Sequence, residues 1–367
     1  MSKSKNLSSL QLFILTFGLM TGTSILDLPG TITQIAREDA WIAALFALLI
    51  NLMMALLCLG LCRLYPGQTL FEILESVLGR WPGKALSLIY LFYFLILTSA
   101  LLGDLSTFIT TEVMPETPSE ATKLIFLLVL VISARKGIII LGRLSELLFP
   151  WLLLLLTLLV LALIPQANWT HIRPIMEDGP GPVLAAGIQS AMFQEPIVLM
   201  GFLPLVKLPA KRARVLLSGI ITGGIVLSVL TLLSVLVLGI EQTSNSVYPV
   251  FVLAKTINIG NVLQRVEGML ITIWIMTFFI KISLLFLLLL QNFQTVFSLK
   301  RTTHLIFPLA VLLFVFASNI YINMAYLIDK VQNAWWKFAA IHLVFIPLLI
   351  YGIALIRSKL AASAAKS

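Results

Sequence analysis

Long apolar runs dominate the chain, and polar residues gather in short segments between them. A hydrocarbon core of about 30 Å takes roughly 20 residues of helix to cross. Leu7–Leu26, Trp41–Cys62, Ala85–Gly103, Val215–Ile240, Leu305–Ile328 and Phe338–Ile356 meet that requirement unaided. Leu147–Ile164 nearly meets it and can extend back through Gly142, while Ala121–Ala134, Val183–Val206 and Gly268–Leu290 are runs broken by a polar group. The pattern predicts an all-α integral membrane protein of ten transmembrane helices. A β-barrel is excluded, because lipid-facing strands alternate apolar and polar positions and these runs are continuous. The first run is too long for a secretory signal and lacks its small-residue cleavage pattern, so it is expected to remain on the mature protein.

Two runs carry interruptions. The first holds Thr21-Gly22-Thr23-Ser24 followed by Asp27-Leu28-Pro29-Gly30, and the sixth holds Gln194-Glu195-Pro196. The chain, 1–367, reads as one transmembrane domain whose halves, about 7–164 and 183–356, each cross an odd number of times, which inverts the second relative to the first. Paired interruptions in inverted halves point to a binding site near the bilayer midplane. Lipid tolerates opened backbone only where it lines a cavity or is buried in protein. In the first span, Gly22 lets backbone approach closely, Thr21, Thr23 and Ser24 supply hydroxyls, and the half-helix that follows turns its positive end toward a guest such as a carboxylate. In the sixth, Pro196 removes an amide hydrogen and clashes with the preceding turn, so the helix is expected to open over Met192–Glu195, with Phe193 and Gln194 facing the gap. Close packing of small residues is the competing explanation for Gly and Thr in such spans.

The connections add three expectations. After Tyr65-Pro66-Gly67-Gln68, the segment Thr69–Gly79 places Leu70, Phe71, Ile73, Leu74, Val77 and Leu78 at helical spacing, as in a short helix lying along the membrane surface. Pro165–Pro182 reads as an irregular loop, and Val247–Ile259 as a lid-like helix too short to cross.

Composition agrees with this picture: 59% of the 367 residues are apolar and 11% charged, far from a soluble domain. The net charge of +9 does not imply nucleic acid, because the basic residues sit at the ends of the spans. Lys3, Lys5, Arg63, Arg80, Lys84, Arg135, Lys136, Arg143, Lys207, Lys211, Arg212, Arg214, Lys300, Arg301, Arg357, Lys359 and Lys366 fall on one face of the ten-span arrangement. Arg37, Lys123, Arg173, Lys255, Arg265, Lys330 and Lys337 fall on the other. The positive-inside rule then places both termini in the cytoplasm.

Charges inside the spans carry the sharpest signals, because each costs roughly 2.5–3.5 kcal/mol at a helix centre on insertion scales. Lys281 lies in Phe278-Phe279-Ile280-Lys281-Ile282-Ser283-Leu284, too deep to snorkel. It is expected either to stand in for a bound cation, to exchange a proton, or to act as a fixed charge paired with Glu195 or with carbonyls of the broken first helix. Glu195 needs a partner or a proton. Asp104 and Glu146 read as structural, Glu146 within reach of Arg143 or Arg135, and Asp27 as either a gate of the outer mouth or a polar helix end. Cys58 and Cys62 lack the further ligands of a metal site and read as packing residues. His171, His304 and His342 have no zinc-site spacing, and no phosphate-binding glycine loop is present, so neither an enzyme nor a metal or other cofactor is expected.

Taken together, Thr21-Gly22-Thr23-Ser24-Ile25-Leu26, Tyr65-Pro66-Gly67-Gln68-Thr69, Ala134-Arg135-Lys136-Gly137 with Gly142-Arg143, and Phe279-Ile280-Lys281-Ile282-Ser283 resemble the spore germination permease-like family. Its members are the B-type subunits of nutrient germinant receptors, within the amino acid–polyamine–organocation transporter superfamily. The resemblance covers essentially the whole chain and implies a five-plus-five inverted repeat with helices one and six broken. It implies a receptor of the bacterial spore's inner membrane that binds an amino acid or similar small nutrient and works with A-type and C-type receptor subunits. The substrate site would then comprise Thr21, Gly22, Thr23, Ser24, Phe193 and Gln194, joined by Thr98 and Thr277 at matching depth, with Lys281 in the place of a transporter's cation and Glu195 beside it. A proton-coupled amino acid permease of the same fold is the alternative.

Overall fold

The structure, a computed structural model, describes residues 6–207, 209–257, 267–320 and 333–364. The outer end of the expected lid helix, the last residues of the Leu305–Ile328 span, and the basic residues Lys3, Lys5, Arg265, Lys330 and Lys366 lie outside the described residues. Helix α1 (Ser9–Thr21) opens with a capping box between Ser8 and Gln11. Helix α2 (Ser24–Ala36) continues it after two residues, passing through Pro29, whose missing N–H falls in its first turns. The apolar stretch thus reaches well past Leu26, because Asp27 is taken up inside a helix rather than ending one.

Next come α3 (Ala40–Leu64), the short α4 (Leu70–Leu78), α5 (Arg80–Phe108), extended by a π-turn over Ile109–Val113, α6 (Ser119–Lys136) and α7 (Ile138–Leu163). Turns at Gly79 and Gly137, both at positive φ, separate α4 from α5 and α6 from α7. The α8 helix (Pro180–Ala191) stops early, and the chain continues as 3-10 turns over Pro196–Gly201 and Leu203–Leu205. It resumes as α9 (Arg212–Asn245), kinked at Gly239, then α10 (Pro249–Lys255), α11 (Glu267–Val296), α12 (Ile306–Ile320), α13 (Asn333–Ala340) and, through a π-turn, α14 (Ile346–Ala364). Among the described residues, eight helical stretches are long and apolar enough to cross a membrane. Helix α1 falls short of that length, and α6 carries Glu120, Lys123, Arg135 and Lys136 at its ends.

Burial sorts these helices into an inner and an outer set. In α11, 78% of the apolar window is covered by the rest of the chain, against 22% in α7. The α11 helix is therefore central, and α7 turns Leu147, Trp151, Leu154 and Leu158 outward. In lipid an outward apolar face costs nothing, so tight internal packing has to come from close backbone approach. On α1, Gly18 and Gly22 face Ile280 and Lys281 of α11, where an added methyl would lie 2.7 Å from either side chain. On α9, Gly219 faces α1, 2.7 Å from Thr16 Cβ by the same measure.

The α4 helix differs from a helix floating on the membrane. Its face of Leu70, Phe71, Ile73, Leu74 and Val77 is buried by protein, chiefly α5, α14 and the turn Pro196–Gly201. The α10 helix buries Val250, Phe251, Leu253 and Ala254 against α2, α9 and α11. Between α7 and α8 the polar loop forms two 3-10 turns, Ile164–Gln166 and Trp169–Ile172. At the opposite end of the molecule from α10, Leu7 N–H donates to Leu205 O at 2.8 Å and Lys207 N–H to Leu7 O at 2.9 Å. The start of α1 is thereby tied to the chain leaving the 3-10 turns.

The close approach of α1 and α9 gives a direct test. Gly219→Ala puts a methyl 3.0 Å from the fixed carbonyl of Phe13, and overpacking of this kind costs about 1–3 kcal/mol. Gly352→Ala, where nothing lies within 4 Å, is expected to be neutral or slightly stabilising. Thermal unfolding of both variants in detergent, followed by intrinsic fluorescence, checks the difference.

Candidate functional site

The strongest polar feature of the interior is built on a lysine. Lys281, midway along α11, is 1% exposed. Its ammonium makes one ion pair and two hydrogen bonds. It lies 2.9 Å from Glu195 Oε2, and Glu195 is equally buried. It also donates to Phe193 O at 2.7 Å and to Thr23 Oγ1 at 3.1 Å. The apolar stem reaches these partners because Gly22 has no side chain: a Cβ there would sit 2.7 Å from both Cβ and Cδ of the lysine.

The local chain geometry explains why the acceptors are available. The helical bonding of α1 ends with Gly22 N–H on Gly18 O, and Leu26 N–H turns to Thr23 O, a tighter bond than the α-helical one. At α8, Met192 N–H and Phe193 N–H close on Gln189 O and Ser190 O, ending the helix. Glu195 then adopts a left-handed conformation, φ 41° and ψ 58°. Such a conformation is uncommon for a residue with a side chain and persists where surroundings fix it. Here Pro196 forbids a continuing helix, and the lysine holds both the Glu195 carboxylate and the Phe193 carbonyl. That carbonyl lacks the helical N–H that would otherwise satisfy it, and the ammonium supplies a charge-assisted bond instead.

The remaining sequence-predicted residues are engaged to different degrees. Gln194 is buried, and its side-chain oxygen accepts from Asn51 Nδ2 of α3, which also donates to Ala47 O. The Thr21, Thr98 and Thr277 side chains are buried, with each hydroxyl bonded to a carbonyl of its own helix, Phe17 O, Phe94 O, and Ile273 O with Trp274 O. Thr277 lies one turn from Lys281 on α11. Ser24 opens α2, and its hydroxyl is buried without a hydrogen-bond partner among the described residues. The same holds for Tyr93 Oη and Ser99 Oγ of α5, Ser190 Oγ of α8, and Trp274 Nε1 and Ser283 Oγ of α11. Asp27 and Asp104 are within electrostatic reach of Lys281, and Tyr248 Oη donates to Asp104 at 3.4 Å.

Some of this was not singled out by sequence. Asn51 is a lone amide in an otherwise apolar helix, the same signal that marks Lys281, though it carries no charge. Tyr93, within electrostatic reach of Glu195, looks in sequence like one more aromatic in an aromatic-rich run. Glu146 differs from its expected pairing with Arg143 or Arg135: Gln11 Nε2 of α1 donates to it at 2.9 Å. Cys58 and Cys62 are free thiols. Among the described residues no three His, Cys, Asp or Glu side chains are grouped to hold a metal.

Known proteins agree on where this arrangement belongs. Over 94% or more of this chain, its backbone superimposes on solved transporter structures at 12–14% identity, a likeness of fold. The closed, bromovinylhydantoin-bound form of Mhp1, a nucleobase–cation symporter, gives a TM-score of 0.69, covering 96% of this chain and 80% of that one. A sodium-coupled sialic acid symporter gives 0.58, covering 94% and 78%. MhsT in complex with L-phenylalanine gives 0.56, covering 95% and 98%. In sequence, spore germination protein KB of Bacillus subtilis (strain 168) is 25% identical over 357 residues, 95% of this chain and 94% of that protein. Spore germination protein XB of Bacillus anthracis is 25% identical over 253 residues, 68% and 70% of the two chains. The model of the family described as spore germination protein matches residues 6–325. This membrane protein, with the fold of transporters, therefore belongs to the spore germination protein family.

Proposed function

We propose that the chain is the membrane subunit of a spore nutrient germinant receptor, binding an amino acid or similar small nutrient where its first and sixth spans are broken. In this reading α1 with α2 form the first of ten spans, α6 is the fourth, and α8 with its 3-10 continuation is the sixth, in two inverted halves of five. Both termini face the cytoplasm, the membrane is the inner membrane of the spore, and A-type and C-type receptor subunits complete the assembly. The observation that carries the proposal is Lys281, which joins Thr23 at one break to Phe193 and Glu195 at the other. Breaks that merely relieved packing would have no need of a shared buried charge.

The chemistry of the surroundings supports a small zwitterionic guest. Lys281 and Glu195 offset one another, with Asp27 and Asp104 further carboxyl groups in electrostatic reach. Ser24, Ser190, Tyr93 and Trp274 offer buried polar atoms with no hydrogen-bond partner among the described residues, and such atoms cost about 1–3 kcal/mol each unless something bonds them. The N-terminus of α2, at Ser24, suits a carboxylate. Thr21, Gly22, Thr23, Ser24, Thr98, Phe193, Gln194 and Thr277 remain the proposed contacts, and a guest acts by favouring one arrangement of the two breaks over the other. Solute transport is the second reading, favoured by the likeness of fold to symporters; ligand accumulation by the purified chain in liposomes would select it.

A ligand screen tests the site. A true ligand at 100 times its dissociation constant stabilises the native state by about 2.7 kcal/mol, so amino acids, sugars and nucleosides are expected to divide into those that raise the unfolding temperature and those that do not. Thr23→Val, which removes the hydroxyl at the first break, is expected to abolish the shift produced by a hit; an undiminished shift would place the ligand elsewhere.

The ion pair gives a second prediction. Lys281→Met strands a buried carboxylate, and breaking such a pair costs about 3–5 kcal/mol. The double variant Lys281→Met with Glu195→Gln is expected to recover most of that stability and still fail to trigger germination. Thermal unfolding and a spore germination assay, run on the same variants, separate the two effects.

A further inference from the structure

Two side-chain amides meet in the interior, Asn51 on α3 and Gln194 in the opened turn that follows α8. Asn51 is fully buried and Gln194 is 2% exposed. A side-chain amide has a donor end and an acceptor end, and the end it turns to one neighbour decides what it can offer the next. Here a backbone carbonyl fixes the choice. Asn51 Nδ2 lies 3.0 Å from Ala47 O, one turn earlier in α3, and a carbonyl oxygen only accepts. Turning the Asn51 amide over would set Oδ1 against that oxygen. The donor end therefore stays where it is, and its second hydrogen goes to Gln194 Oε1.

The polarity passes from one amide to the other. With Oε1 taken by Asn51, Gln194 has two N–H donors left at Nε2. That nitrogen makes no hydrogen bond among the described residues, and it keeps a trace of accessible surface, whereas Ser24 Oγ and Ser190 Oγ are sealed. The arrangement leaves a mark on Asn51, whose Oδ1 is buried with no hydrogen-bond partner among the described residues, a state few buried polar atoms occupy. Packing alone gives no reason to keep it, since an apolar pair of the same shape would fill the space without an orphaned acceptor. Gln194 itself sits between Phe193 and Glu195, the two residues of the second break that hold Lys281. The α2 helix, which starts at the first break, packs on both α3 and α8.

We propose that Asn51 is a positioning residue for selectivity: it holds the Gln194 amide with its donors toward the gap between the breaks, where they take the carboxylate end of the guest and turn away an ammonium. Asn51 acts through Gln194 and touches no guest itself. The inference rests on the nutrient-binding reading above and adds to it which end of the guest the sixth span reads. Glu195 does not oppose that reading, because its charge is answered by Lys281. The N-terminus of α2 at Ser24 favours the same end of the guest through its dipole.

The test uses the full chain in nanodiscs of neutral phosphatidylcholine and measures the affinity of the proteinogenic amino acids, of the matched amines that lack the carboxylate, and of the matched acids that lack the amino group. Asn51→Asp is the deciding variant, because its carboxyl oxygen accepts where the amide nitrogen donated, so Gln194 turns over and presents Oε1 instead. Ligands with a carboxylate are expected to bind at least about tenfold more weakly, as the loss of one charge-assisted hydrogen bond requires, while the matched amines hold or gain. In a Gln194→Met background, Asn51→Asp should change nothing further. Unchanged affinity for carboxylates, an equal loss for acids and amines, or a loss that persists without Gln194 overturns the proposal and leaves the nutrient site standing. Binding by no member of the panel removes an amino acid guest, and this inference falls with it. Should Asn51→Asp fail to fold, Asn51→Leu decides, since it frees the Gln194 amide to rotate: weakened discrimination between acids and their matched amines supports the assignment, and unchanged discrimination overturns it.

Discussion

A single ammonium group, placed where neither water nor snorkelling can reach it, sets the terms for the interior of this protein. An isolated charge in a low-dielectric medium is so costly that it is kept only when fully paired and hydrogen-bonded. Lys281 meets that demand with one carboxylate, one carbonyl and one hydroxyl. The two oxygens from the chain around Glu195 exist in usable form only because α8 has ended. The opened backbone satisfies the lysine, and the lysine satisfies the opened backbone; neither is stable alone at that depth.

This reciprocity places strict demands on packing. The ammonium reaches across only if α1 and α11 lie nearly in contact, and Gly18 and Gly22 provide that contact. Gly219 does the same between α1 and α9. The outer helices α7, α12 and α14 are far less covered and form the lipid-facing shell. Two kinds of small residue therefore serve different ends: those that let helices touch, and Gly79 and Gly137, which let the chain reverse between them.

Much of this is written in one dimension. A charge in an apolar run, a proline after a glutamate and a glycine among threonines are each visible because lipid penalises them individually. Pairing is another matter. Lys281 and Glu195 lie far apart in sequence, and the alternatives for the lysine are narrowed only by three-dimensional placement. Asn51 gives little signal in sequence, because a neutral amide breaks hydropathy little, yet it holds Gln194. In hydropathy the first apolar run ends before Asp27, because a carboxylate resembles a boundary; in the folded chain Asp27 is absorbed by a helix that runs on to Ala36. Burial of the α4 face by protein rather than lipid was equally hidden, since an amphipathic stripe looks the same against either.

The pair of backbone hydrogen bonds from Leu7 to Leu205 and Lys207, on either side of the extended Val206, carries a mechanical consequence. It yokes the tip of α1 to the tail of the 3-10 turns, so the two segments cannot move independently there. A displacement of one of them on that face has to carry the other with it.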